Sequence, residues 1–308
     1  MTINEHISRF AGLPVAAFDP HGEVPADPAG CAWRVDTDYD GGAELFQVRL
    51  DGLLNADWAH LVTALVIGEW GEAYDSPAPI EALVAAADRL PALRALFLGE
   101  MTFDEQEISW ITQGDITPLL AAYPRLEVLT VRGATGLALS PVRHDRLREL
   151  TIESGGLPAH VVRAVGESEL PALQHLELWL GTANYGGDAT AEDLAPILSG
   201  TRLPALTSLG VRDCEIIDQV AVALAGAPVV ARLERLDLSL GVLTDAGGAA
   251  LLAGQPLTHL KRLDLHHHFL SEPMMDRLSA ELEAVGVELD LSDAGDPDDD
   301  DRFISVSE

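Results

Sequence analysis

The spacing L-x-x-L-x-L recurs along this chain and constrains its fold more than any other feature, because a pattern returning at a near-constant period describes one structural unit used many times. It reads as Leu93, Leu96 and Leu98; Leu126, Leu129 and Val131; Leu147, Leu150 and Ile152; and Leu173, Leu176 and Leu178. It continues as Leu206, Leu209 and Val211; Leu233, Leu236 and Leu238; and Leu260, Leu263 and Leu265. Weaker copies flank these seven, with Val62, Leu65 and Ile67 before them and Gly286, Leu289 and Leu291 after, as expected of terminal repeats. Leu209, Leu236, Leu263 and Leu289 stand 27, 27 and 26 positions apart and set the period. Longer steps upstream imply insertions near residues 100–117 and 181–192.

Each L-x-L alternation sends its apolar side chains to one face of a short strand and the intervening residues to the other. The period then changes. Ile217, Val220, Ala221 and Leu224, then Leu243, Gly247, Ala250 and Leu251, then Met275, Leu278, Leu282 and Val285 fall at helical spacing. Asp218, Thr244 and Ser271 sit where N-caps belong, and Gly226, Gly254 and Gly286 where helices stop. Three aliphatic side chains cannot offset the chain entropy lost in ordering such a unit, so neighbouring units must stack and share one core. Helices are wider than strands, so the stack bends with strands on the concave side and helices on the convex side.

The 308 residues and 47 % hydrophobic content suit a globular chain, and the low aromatic share of 5 % suits thin aliphatic layers. With 19 Lys plus Arg against 50 Asp plus Glu, the formal charge of -31 would repel a phosphate backbone, so nucleic acid is excluded as a partner. No run of about 18 apolar residues and no basic leader is present, so a cytoplasmic protein without a membrane association is expected. Cys31 and Cys214 are too few for a disulfide framework and fit a reducing compartment.

The repeats with helical backs resemble leucine-rich repeats of the ribonuclease-inhibitor-like class. That resemblance implies an α/β fold, a right-handed horseshoe-shaped solenoid of about nine repeats over residues 58–292. Repeats of this class carry Asn or Cys three residues after the last leucine. Only Cys214 matches here, the other positions being Trp70, Met101, Ala134, Gly155, Gly181, Gly241 and His268. The opening from His6 to Pro14 and the ending Val306-Ser307-Glu308 also resemble an uncharacterised bacterial cytoplasmic leucine-rich-repeat family. Residues 1–57 do not repeat. Strands at Trp33–Val35 and Glu44–Leu50, separated by the turn-rich segment 37–42, are expected to form a small cap. Residues 293–308 read as a solvated acidic linker, Asp293–Asp301, followed by a tail, Arg302–Glu308, that is either disordered or docks as an edge strand, docking being favoured.

No catalytic constellation stands out, and no cofactor or metal is expected. His266, His267 and His268 cannot all ligate from one side of a strand, because successive side chains point to opposite faces. The acidic run after Pro297 lacks the spacing of a calcium loop, and the glycine-rich stretch from Gly181 to Asp188 has no Gly-Lys-Ser/Thr after it. Cys214 serves the turn, and Cys31 has no readable activating partner beyond Arg34.

The informative surface is the concave one. Its central row reads Val66, Phe97, Thr130, Thr151, Glu177, Gly210, Asp237, Asp264 and Asp290. The row two residues later includes Arg132, Glu153, Trp179, Arg212, Ser239 and His266, and the row before includes His175, Arg235 and Arg262. Val66 and Phe97 are expected under the N-terminal cap. Trp179 is expected to stand exposed beside an acidic strip, as interface hot spots do, the alternative being cover by the Gly181–Asp188 loop. The expected function is therefore a non-enzymatic, monomeric scaffold. Its protein partner, a basic one favoured by the charge, docks on the C-terminal half of the concave face through Trp179, Glu177, Arg212, Arg235, Asp237, Arg262, Asp264, His266 and Asp290. The alternative is an acidic inhibitor or immunity-type protein for a basic enzyme.

Overall fold

The computed structural model describes residues 3–23, 26–37 and 42–307. Twelve strands form one sheet in which each strand pairs with its neighbour in sequence. They are β1 (Arg9–Phe10), β2 (Leu13–Ala17), β3 (Ala32–Val35), β4 (Ala64–Ile67), β5 (Ala95–Leu98), β6 (Val128–Arg132), β7 (Glu149–Glu153), β8 (His175–Gly181), β9 (Ser208–Cys214), β10 (Arg235–Asp237), β11 (Arg262–Asp264) and β12 (Glu288–Asp290). Only β1 and β2 run antiparallel; every later pair is parallel. This α/β arrangement fits a repeat solenoid.

The middle leucines are the rungs. Leu65, Leu96, Leu129, Leu150, Leu176, Leu209, Leu236, Leu263 and Leu289 pair in unbroken register from β4 to β12. The leucines of β4 to β11 are buried in one continuous aliphatic core, and Leu289 at the end of the stack is half-buried against it.

Among the described residues eight α-helices back the sheet, namely α1 (Gly42–Asn55), α2 (Ile80–Ala85), α3 (Thr117–Ala122), α4 (Ala159–Glu167), α5 (Ala195–Ser199), α6 (Ile217–Leu224), α7 (Asp245–Ala253) and α8 (Glu272–Leu282). Glu44–Leu50 lies in α1 and is not a strand. Its apolar residues Phe46, Leu50, Leu53 and Leu54 are buried at helical spacing, a period that outweighs the β propensity of Phe and Val. Residues 38–41 of the expected turn lie outside the described residues. β3 pairs in register with β4, Trp33 opposite Leu65, so the sheet continues into the non-repeating region.

Capping links one repeat to the next. Thr244 caps α7, its hydroxyl accepting from the Ala246 amide at 3.2 Å. Asp218, expected as a cap of α6, lies inside that helix, and its carboxylate instead accepts from Thr244 N, Thr244 Oγ1 and Gly247 N at 2.9, 2.6 and 3.1 Å. Asp245 repeats the device on Ser271 N and Oγ at 2.8 and 2.6 Å. Asp218→Ala is expected to cost about 1–2 kcal/mol, since three donors at the start of the next helix lose their acceptor. A denaturant midpoint unchanged from wild type would refute this.

Candidate functional site

On its outward face the sheet is covered at one end and open at the other. Over the N-terminal strands, Phe10 packs with Ala32, Ala64, Val66, Ala95 and Phe97, with Ile7, Leu13 and Val15 at the margin. Val66 and Phe97 are thus buried under the N-terminal segment. Over the last strands a groove of about 620 Å³ remains, lined by alternate residues of β8 to β12 including His175, Gly210, Arg235, Asp237, Arg262 and Asp264.

Charge in the groove is ordered by the strand alternation. Arg212 on β9 donates to Glu177 Oε1 on β8 at 2.9 Å and to Ser239 Oγ at 2.9 Å, and stands 3.3 Å from Asp237 Oδ2 on β10. Burial disfavours its charge, but Glu177 and Asp237 more than compensate, so its pKa is raised. Asp237, largely enclosed, is raised by that burial against the opposing pull of Arg212. One strand further, Arg262 bonds Asp264 Oδ2 at 2.7 Å and Asp290 Oδ2 at 3.2 Å, and also pairs with Glu288. His266 Nδ1 lies 2.7 Å from Asp264 Oδ1. Burial opposes ionisation of Asp264, yet the bonds from His266 and Arg262 hold it well below the usual carboxylate range. The hydrogen bond to Asp264 in turn raises His266. Arg235 is the exception: its side chain is exposed in the groove and, among the described residues, has neither an ion-pair nor a hydrogen-bond partner.

The site residues expected from sequence are therefore brought together, with one correction. Trp179 is not displayed; it is 7 % exposed, packed with Ile108, Leu240 and Val306. Its indole donates to Glu177 Oε1 at 2.8 Å, and the Arg212 guanidinium lies 5.3 Å from its ring centroid. The cover comes from the first insertion and from the two chain ends, with Ile3 at the margin. None of the residues packed with Trp179 in that cluster belongs to the Gly181–Asp188 loop, in which Asp188 accepts from the Ala159 amide at 2.6 Å.

The tail follows a route that sequence reading missed. It docks, but across the strand ends, not along the sheet edge. The His267 Nε2 nitrogen is 3.1 Å from the Phe303 carbonyl, Ser305 N donates to Leu240 O at 2.8 Å, and Val306 N donates to Asp213 Oδ1 at 2.8 Å. Asp213, Leu240, His267 and Asp293 occupy equivalent positions, Asp213 at the end of β9 and the others just past β10, β11 and β12, and all four take positive φ, from 47° to 65°. Glu308 lies outside the described residues. The only sequence signal was Asp213 itself, an acid where the neighbouring repeat has Leu240.

Asp264, His266 and Asp290 offer three metal-ligand atoms within 4.8 Å of one another. The Arg262 guanidinium already sits between the two carboxylates and supplies the positive charge a cation would bring. His267 and His268 do not join the cluster. His267 faces Asp293, and His268 is buried against the Leu291 carbonyl at 3.1 Å while accepting from the Leu270 amide, so it bonds the turn backbone on both sides. Cys214 is buried and its thiol is pushed up to about 12, the opposite of what a nucleophile needs. No helix among the described residues is long and apolar enough to cross a membrane.

No protein-family model matches this chain, and no curated protein does. Among solved structures, the crystal structure of a Bacteroides fragilis protein from the Northeast Structural Genomics Consortium is similar to it, with a TM-score of 0.77 and 30 % sequence identity. The likeness covers 89 % of this chain and 76 % of that one, so the chain belongs to the same family as the Bacteroides fragilis protein.

Proposed function

We propose that this chain is a leucine-rich-repeat protein of the ribonuclease-inhibitor-like class, a right-handed horseshoe of about nine repeats. In this reading it acts as a cytoplasmic, monomeric, non-enzymatic interaction module whose protein partner docks on the C-terminal half of the concave face. The observation that carries the reading is the open groove over β8 to β12, in which Arg235 points unpaired beside a file of carboxylates. Paired charges such as Arg262 with Asp264 are already satisfied within the chain and add register more than affinity. An unpaired arginine is a ready anchor for a partner carboxylate, while Glu177, Asp237 and Asp264, held by Arg212, Arg262 and His266, set the register in which the partner docks.

Photo-cross-linking in cells of the source organism tests this. A benzophenone side chain at Ser208, inside the groove, is expected to capture one partner, whose yield falls at least tenfold in the Arg235→Glu, Asp237→Lys background. Capture of the same protein from Val222, exposed on α6, would remove the groove from consideration.

The net charge of -31 favours a second reading, an acidic inhibitor of a basic enzyme. That reading expects binding to weaken steeply with salt, because its attraction is long-ranged and screened. The groove carries both signs, so the first reading expects weak salt dependence.

A further inference from the structure

We propose that the rim formed by the ends of β8 to β10 is a docking site for an extended peptide with aliphatic side chains at alternate positions, and that the chain's own tail, Arg302–Ser307, occupies it as a displaceable ligand in cis. This inference stands whether or not a partner uses the open groove.

The tail has the chemistry of a bound peptide. Ile304 and Val306 are buried two positions apart, while Phe303, on the opposite side, is 64 % exposed. Val306 enters an apolar pocket of Ile108, Trp179 and Leu240. The main chain is read at fixed points, Ser305 N by the Leu240 carbonyl, Val306 N by Asp213, and the Ser307 carbonyl by the Ser109 hydroxyl. Because these points lie past the end of β10, at the end of β9 and in the first insertion, the peptide crosses the strand ends and is held by isolated bonds, not by a continuous ladder. One receiving residue is poorly suited to a purely structural contact: Asp213 is fully buried, and its second oxygen, Oδ2, has no hydrogen-bond partner among the described residues. Such a group is costly to bury and is better explained as a recognition group than as packing.

The linker supports reversibility. Asp296, Asp298, Asp300 and Asp301 are exposed and their bonds are local, such as Asp298 N to Asp296 Oδ1 at 2.9 Å. A short linker of this kind holds the tail at a millimolar effective concentration, enough to keep a modest ligand bound while leaving it open to competition. Release would remove the Val306 contact from Trp179, which stands beside Arg212, the residue types that dominate binding energy at interfaces.

A fluorescently labelled peptide of sequence RFISVSE, added in trans, tests the proposal by anisotropy. It is expected to bind saturably to a chain ending at Asp301 and about 100-fold more weakly to the full chain, whose own tail competes. The peptide carrying Asp in place of Val306 is expected not to bind. A full-length Val306→Asp chain supplies the second test and should take up the labelled wild-type peptide as the truncated chain does. Equal binding to truncated and full-length chains, or a folded truncated chain that binds none, would overturn the proposal. So would loss of folding in both altered chains, which would make the tail a structural staple.

Discussion

Leu209→Ala is expected to lower the unfolding free energy by about 3–4 kcal/mol, because its side chain sits between two identical rungs in a core with no slack. Leu209 is 1 % exposed and pairs in register with Leu176 on β8 and Leu236 on β10. Truncation opens a void shared by three consecutive repeats. A solenoid holds each repeat only through its neighbours, so weakening two interfaces at once also lowers cooperativity. Urea denaturation followed by far-UV circular dichroism measures the effect, with Val222→Ala on the exposed face of α6 as the control expected within about 0.5 kcal/mol of wild type. Comparable losses in the two variants would mean that the leucine rungs are not the principal source of stability.

Asp213→Asn is expected to stabilise the protein under alkaline conditions and to change little in acid. Burial pushes the Asp213 carboxyl up to about 8, against the opposing pull of the Val306 amide and Arg212. The folded state therefore keeps a proton that the unfolded chain, with an ordinary carboxyl, releases near pH 4. Stability from this group is fully present below about pH 4, declines as pH rises toward 8 and is lost above it. Asparagine retains an oxygen to accept from Val306 N but never ionises. The difference in melting temperature between variant and wild type should grow from about pH 4 and level off near pH 8, reaching a few kcal/mol in free energy. A constant offset across that range would show that Asp213 does not titrate on folding.

The groove's response to pH follows different groups. His266, raised by its bond to Asp264, keeps its charge further toward neutrality than a free histidine. The ion pairs around Arg212 and Arg262 rest on carboxylates, and that of Asp264 stays ionised far into acid. The rim should thus loosen on the alkaline side, while the groove walls built on Asp264 hold far into acid.

Much of this was legible in the residues. Local spacing decided which leucines face inward, where the strands lie from residue 64 onward, and which of their neighbours share the outer face, because a period of two allows no other arrangement. The same rule put Glu177, Gly210, Asp237, Asp264 and Asp290 in one file, which is the central row of the groove. It failed at Glu44–Leu50, where a short segment satisfied both periods and only packing of Phe46 and Leu50 against the core chose the helix.

Alternation also fixed the direction of Trp179 but not what stands above it. That depended on Ile108, Leu240 and Val306 meeting across more than a hundred residues of chain, and contacts so distant leave no periodic trace. The sequence by itself determined a stack of parallel rungs with a charged outer file, since each rung is specified by side chains a few positions apart. Tertiary structure alone decided how much of that face is free, because the two chain ends return over it and hold there through single long-range bonds such as that from Val306 to Asp213.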